Sequence, residues 1–195
     1  VVLCCGNRYA PDQYEAVVPD RLAPCHLAAA GGIMARVLSR HKRMKRPTVL
    51  YPLGLLGYIN GQPMNLADFA LKKVPVSRPK PLTLAVMGTA MNAGKTTTAA
   101  YLIKGLVRSG LKVGAAKITG TGAGGDVWFM KDAGAEPVLD FIDAGFSSTY
   151  KANLNQIKEI FDVLMSHLIR SGADAIVLEL ADGLYQDENA DMLCS

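Results

Sequence analysis

From about residue 82 onward, short apolar runs alternate with longer amphipathic stretches, and this is the most regular pattern in the chain. Leu82 to Met87 is an apolar run that breaks at Gly88. Thr96 to Ser109 places Tyr101, Leu102, Ile103, Leu106 and Val107 at helical spacing and ends at Gly110, a helix C-terminal signal. Leu111 to Ile118 reads as a buried strand, Val127 to Ala133 as a short helix and Pro137 to Phe141 as a short strand. Ala152 to Ser171 carries Ile157, Ile160, Phe161, Leu164 and Leu168 on one helical side, and Ala175 to Leu180 is another fully apolar strand apart from Glu179. Strands alternating with helices predict a parallel sheet covered on both faces.

Residues 1–72 follow a different pattern, with short apolar runs punctuated by glycine, proline and turn residues, which favours strands. Val1 to Cys5 and Tyr14 to Val18 read as strands around the polar turn Gly6 to Gln13. Leu27 to Leu38 admits a helix, from its alanines, or a strand kinked at Gly31-Gly32, since each glycine costs a helix about 1 kcal/mol relative to alanine. Pro47 to Tyr58 is apolar, and Asn60-Gly61 after it is a tight-turn signal. Lys72 to Pro81 holds three prolines among basic and small residues and continues neither a helix nor a central strand. The expected organisation is a small, mostly β, domain over residues 1–72, a proline-rich linker over 73–81 and an α/β parallel-sheet domain over 82–195.

The join between the run at Leu82 and the helix at Thr96 carries chemistry. Gly88-Thr89-Ala90-Met91-Asn92-Ala93-Gly94-Lys95-Thr96-Thr97 has the parts of a phosphate loop, one residue longer than the common G-x-x-x-x-G-K-[ST] spacing. In such a loop the backbone N–H groups from Gly88 to Thr97 and the helix N-terminus surround a polyphosphate, with Gly94 letting the backbone close on it. Lys95 supplies a point charge for the β and γ oxygens, and the Thr96 hydroxyl ligates Mg²⁺.

Three further charges fall where ligands bind such sheets, at the carboxyl ends of strands. Lys117 lies near the end of one apolar strand and Glu179 inside another, and burying either without a partner costs several kcal/mol. Asp126 closes the glycine-rich loop Thr119 to Asp126. Glu179 and Asp126 are candidate acids for Mg²⁺, with Asp182 a competing choice, and Lys117 is a candidate to neutralise the γ-phosphate or the group being activated. A plain Lys117 to Glu179 ion pair is the structural alternative. The polar patch Ser147-Ser148-Thr149-Tyr150 reads either as a wall of an acceptor pocket or as a helix start capped by Ser148 or Thr149.

Composition narrows the class without choosing a reaction. Half of the 195 residues are hydrophobic, enough for a substantial core, and the net charge of +4 comes from 21 Lys and Arg against 17 Asp and Glu. The basic run Arg40-His41-Lys42-Arg43 with Lys45-Arg46 reads as a solvated loop rather than a nucleic-acid surface. No uninterrupted apolar stretch reaches about 18 residues, and the start lacks the pattern of a signal peptide, so a cytoplasmic protein away from membranes is expected. Cys4, Cys5, Cys25 and Cys194 read as buried thiols, because their spacing, even with His26 added, fits no common zinc pattern. The chain begins without a methionine and stops at Cys194-Ser195, and it is expected to be a piece of something longer, incomplete at the C-terminus.

GTAMNAGKTTT, then VGAAKITGTGAGGD, then IVLELADG, resembles the dethiobiotin synthetase-like branch of the SIMIBI class of P-loop NTPases, over about residues 82 to 183. The resemblance implies that Lys95 and Lys117 contact phosphates and substrate while Thr96, Asp126 and Glu179 organise Mg²⁺. Ala90 stands where dethiobiotin synthetase has an acid, and Leu180 where it has a glycine, so the likeness is to the branch and not to that enzyme. Val113 to Lys117 and Lys131-Asp132-Ala133-Gly134-Ala135 are also similar to the GTP-binding protein of molybdopterin-guanine dinucleotide biosynthesis, an accessory factor with weak hydrolysis. Met91-Asn92-Ala93-Gly94-Lys95 is similar to the loop of bacterial-type thymidine kinases, a third likeness.

Two functions follow as expectations. One is Mg²⁺-dependent transfer of the γ-phosphoryl group of ATP to a carboxylate or carbamate on a small metabolite, or activation of that metabolite by ATP. The other is an ATP- or GTP-binding accessory or switch protein with slow hydrolysis, acting on a protein partner or in cofactor biosynthesis. The expected partners are the nucleotide and a small-molecule acceptor, with a homodimer left open.

Overall fold

The computed structural model describes residues 1–183. Its first half is a sheet of short strands, β1 (Cys4–Cys5), β2 (Arg8–Tyr9), β3 (Tyr14–Val17), β4 (Cys25–Ala29), β5 (Ile33–Arg40) and β6 (Val49–Leu50). The order is β2-β3-β5-β4-β6, all antiparallel, and β1 adds to β5 in parallel. Leu27 to Leu38 is neither a helix nor one kinked strand. The two glycines form the turn of a β4/β5 hairpin, with Gly32 at a left-handed φ of 95° that a side chain would resist. The stretch expected to be a polar turn holds β2, where Arg8 and Tyr9 pair with Ala16 and Glu15.

The small core under this sheet is built from Ala16, Ala28 and Ala35 with Val37. Cys25 is buried, but Cys4 and Cys5 are exposed, because β1 adds only two residues beside the start of β5. Of Pro47 to Tyr58 only Val49–Leu50 is a strand. The Asn60-Gly61 turn forms, closed by Tyr58 N–H donating to the Gln62 carbonyl at 2.8 Å, and a 3-10 turn at Leu66–Phe69 follows, capped by Asn65. Residues 71–81 carry no helix or strand, and they lie against the helix Leu154–Arg170 instead of hanging free. Val74 N–H donates to Ser166 Oγ at 3.1 Å, and the Lys72 carbonyl lies 2.9 Å from His167 Nε2.

The second half is β7 (Leu82–Gly88), α1 (Lys95–Arg108), β8 (Val113–Thr119), α2 (Gly125–Asp132), β9 (Val138–Asp140), α3 (Leu154–Arg170) and β10 (Ala175–Gly183). The four strands run parallel in the order β7-β10-β8-β9. This is the α/β parallel-sheet architecture expected from the alternation. Side-chain period two sorts the strands onto two faces. Ala116 and Ile118 of β8 and Ile176, Leu178 and Leu180 of β10 pack with Ile157, Ile160, Leu164 and Leu168 of α3. Val113 and Ala115 of β8, Val177 of β10, Val86 of β7 and Val138 of β9 pack with Ala99, Ile103 and Met130 of α1 and α2. Continuing the second set by two residues along each strand reaches Lys117, Glu179, Gly88 and Asp140. The same pattern that builds the core therefore delivers these residues to the α1 face at the strand tips.

The two sheets meet at a close backbone approach. A Cβ added at Gly31, in the β4/β5 turn, would lie 1.9 Å from the Gly122 carbonyl oxygen and 2.9 Å from Ala123 Cα. Neither is the end of a flexible side chain, so the backbones must part. Gly31→Ala is expected to lower unfolding free energy by roughly 1–3 kcal/mol, the ordinary cost of overpacking, in urea denaturation. An unchanged midpoint would mean that this approach is not tight.

Candidate functional site

The loop between β7 and α1 is shaped by two left-handed residues, Asn92 (φ 62°) and Gly94 (φ 84°). Asparagine tolerates that region and glycine has no Cβ to oppose it, so the loop turns sharply enough to enter α1 at Lys95. No side chain caps the start of α1. Its first N–H groups carry the positive end of the helix dipole and form, with the loop, the concave backbone surface that anions occupy.

Lys95 folds back along this loop, buried, with Nζ donating to the Ala90 carbonyl at 2.7 Å. Gly88 makes room for it, since a Cβ there would lie 3.0 Å from Lys95 Cγ. One residue on, Thr96 Oγ1 donates to Glu179 Oε1 at 2.8 Å and lies 3.4 Å from Asp126 Oδ1. Glu179 is 1% exposed, and its second oxygen, Oε2, is buried without a hydrogen-bond partner. An ionised carboxylate half-satisfied in this way is costly, and a divalent cation is the group that would relieve it. Thr96, Asp126 and Glu179 offer oxygen donors only, the chemistry that suits Mg²⁺.

Lys117 and Glu179 are partners in the β8/β10 register, and Lys117 and Asp140 in the β8/β9 register. Among the described residues Lys117 pairs with Asp126, in the first turn of α2, rather than with Glu179 as in the structural alternative. Burial pushes the Asp140 carboxyl above its ordinary value, opposed by N–H donation from Ile142 and Asp143 and by the Lys117 charge. Asp140 was not among the expected site residues. Its signal was present in the period-two alternation of a short strand, Val138 inward and Asp140 two residues later.

A cavity of about 420 Å³ gathers these groups apart from Asp140, which stands behind Lys117 and does not line it. It is lined by Met91, Asn92, Gly94, Lys95, Thr96, Thr97, Lys117, Asp126 and Glu179 of the expected set, while Gly88, Thr89 and Ala93 do not line it. Gly120, Thr121 and Ala123 of the glycine-rich loop and Ala181 of β10 complete the wall, together with Arg8, Tyr9 and Ala10 of the first sheet. None of the four polar residues Ser147, Ser148, Thr149 and Tyr150 lines this cavity, and none caps α3. Thr149 is buried and accepts from Gly120 N–H at 2.8 Å, Ser147 Oγ donates to the Cys5 carbonyl at 2.7 Å, and α3 is capped by Asn153 with Gln156 in a capping box. The Asp182 side chain and Cys194 lie outside the described residues. Among the described residues no cluster of three or more His, Cys, Asp or Glu is placed to hold a metal, and no helix is long and apolar enough to cross a membrane.

No protein-family model and no curated protein matches the chain. Solved structures do. The signal recognition particle receptor FtsY from Elizabethkingia anophelis in complex with GDP is 21% identical at a TM-score of 0.43, over 66% of this chain and 37% of that one. The signal recognition particle 54 kDa protein from Aeropyrum pernix, also in complex with GDP, is 23% identical at a TM-score of 0.41, over 65% of this chain and 27% of that one. This chain thus spans roughly a third of the length of the structures it matches. The chain's own strand order, β7-β10-β8-β9, and the join from β7 through the loop to α1 define its fold.

Proposed function

We propose that this chain is a Mg²⁺-dependent, ATP-binding P-loop protein that transfers the terminal phosphoryl group to a carboxylate or carbamate of a small metabolite, or uses ATP to activate it. What carries the reading is the convergence of Thr96 and the orphaned Glu179 oxygen on the cavity that Lys95 and Lys117 also line. In this reading the loop amides and Lys95 hold the β and γ phosphates, and Thr96, Asp126 and Glu179 hold the metal. The metal, when bound, neutralises charge on the phosphate oxygens. Lys117 orients the acceptor oxygen, whose lone pair forms the new bond to the γ-phosphorus. The bond from that phosphorus to the bridging oxygen breaks, and its electron pair leaves with ADP. Such catalysis is chiefly positioning and charge neutralisation. ATP is preferred to GTP on the loop spacing shared with the dethiobiotin synthetase-like branch.

A second reading, a nucleotide-dependent accessory or switch protein with slow hydrolysis, is favoured by the exposed apolar residues Leu53, Leu55, Leu56 and Ile59, a surface suited to a protein partner. Thermal shift with Mg-ATP and Mg-GTP, followed by a hydrolysis screen with carboxylate metabolites, separates the two. At about 100 times its dissociation constant the preferred nucleotide is expected to add roughly 2.7 kcal/mol of stability. Acceptor-stimulated hydrolysis supports the transferase, and slow hydrolysis indifferent to every acceptor supports the switch. No shift with either nucleotide would contradict both.

A further inference from the structure

The strand, loop and helix logic of a phosphate loop has no need of a second sheet, yet Arg8, Tyr9 and Ala10 form part of the cavity wall. Three contacts hold them there. Ser147 Oγ donates to the Cys5 carbonyl at 2.7 Å, and the Tyr9 ring stacks on Tyr150 with centroids 5.5 Å apart. Asn92 Nδ2 donates to Asp12 Oδ2 at 3.0 Å, which ties the turn after β2 to a left-handed residue of the phosphate loop itself. Arg8 is braced within that turn by Nη2 donating to Gln13 Oε1 at 2.6 Å.

Among the described residues lining the cavity the cations are Arg8, Lys95 and Lys117. Lys95 and Lys117 come from the α/β half, on the phosphate loop and β8, whereas Arg8 comes from the other half of the chain. Its guanidinium is planar and presents parallel N–H donors that match two phosphate oxygens, which an ammonium does not. Phosphoryl transfer spreads negative charge over the equatorial oxygens, and a guanidinium placed against them acts most strongly in the transition state.

We infer that Arg8 is a catalytic residue, a cation supplied in cis by the N-terminal sheet that contacts the terminal phosphoryl group and stabilises the charge developing on it. This rests on the P-loop reading above, and it makes residues 1–72 part of the active site rather than an appendage.

The test is calorimetric titration of the full chain with Mg²⁺ and ADP or GDP, with and without aluminium fluoride, which completes a mimic of the phosphoryl group in flight. The wild-type chain is expected to bind the fluoride complex more tightly than the diphosphate alone. Arg8→Ala should keep its diphosphate affinity within about threefold and lose on the order of 10²- to 10³-fold toward the fluoride complex, the scale at which such arginines and single transition-state donors act. Arg8→Lys should recover only part of this loss. Gln13→Ala, which removes the brace and leaves the guanidinium, should lose at most about tenfold. If Arg8→Ala does not fold, Arg8→Lys alone decides, and a loss below about threefold overturns the inference. Fluoride binding by Arg8→Ala equal to wild type, a Gln13→Ala loss as large as that of Arg8→Ala, or no tightening by fluoride in the wild type also overturns it. Lys95→Ala tells the two failures apart: if it loses diphosphate binding while Arg8→Ala behaves as wild type, the arginine role fails alone, and if no diphosphate binds at all, the P-loop reading falls with it.

Discussion

Lys95→Ala is expected to weaken Mg-nucleotide binding by roughly 2–5 kcal/mol, about 30- to 4,000-fold, while leaving the chain folded. The size follows from where the side chain sits. Lys95 is buried against the loop with the Ala90 carbonyl as its hydrogen-bond acceptor, so in the unliganded protein its charge is only lightly compensated. A polyphosphate supplies the missing counter-charge, and little solvent screens the interaction. Folding depends on Lys95 much less, because the truncation removes a buried cation together with its stem packing against Gly88, two changes of opposite sign. Circular dichroism should show an unchanged fold while calorimetry shows the lost affinity. Equal nucleotide affinity in the variant would remove Lys95 from the site.

Glu179→Gln is expected to separate binding from stability in opposite directions. With the metal absent, one carboxylate oxygen accepts from Thr96 and the other is buried without a partner, so the native residue carries an electrostatic cost. The amide keeps the shape and the Thr96 acceptor and discards the charge. Relief of about 1 kcal/mol would raise the melting temperature of the unliganded protein by roughly 2–4 °C. Metal-dependent nucleotide affinity should meanwhile fall on the order of 10²-fold, since a neutral amide is a far poorer ligand for a hard cation than a carboxylate. A residue that destabilises its own fold and serves only in the presence of a ligand is the trade-off functional sites show. A lower melting temperature with undiminished Mg²⁺ dependence would assign Glu179 a structural role instead.

Much of the candidate site's placement was legible because one rule, the alternation of strand side chains, governs both packing and the position of its charges. Reading Val113, Ala115, Lys117 along one strand and Val177, Glu179 along another places both charges on the helix face without coordinates. Asp126 follows from the glycine-rich loop that must return the chain to α2. What stayed hidden depended on contacts distant in sequence. Arg8 and Tyr9 sit in a stretch whose polar composition reads as a turn, and only pairing with Ala16 and Glu15 makes them a strand that reaches the cavity. Gly31 and Gly32 offered a local choice between a kink and a helix. The outcome, a hairpin turn pressed on Gly122, is set by the partner sheet and not by propensity. The polar run at Ser147 to Tyr150 stayed open between two readings for the same reason, since the Thr149 and Ser147 hydroxyls serve Gly120 and Cys5 from afar.

The most direct test of the central claim is calorimetric titration of the wild-type chain with ATP and with GTP, each in the presence of Mg²⁺ and again with the metal chelated. Saturable binding of one nucleotide per chain, weakened at least about tenfold by chelation because Thr96, Asp126 and Glu179 then lack the ion that joins them to the phosphates, is the predicted result. Absence of binding by both nucleotides, or binding of equal strength with and without the metal, would contradict it.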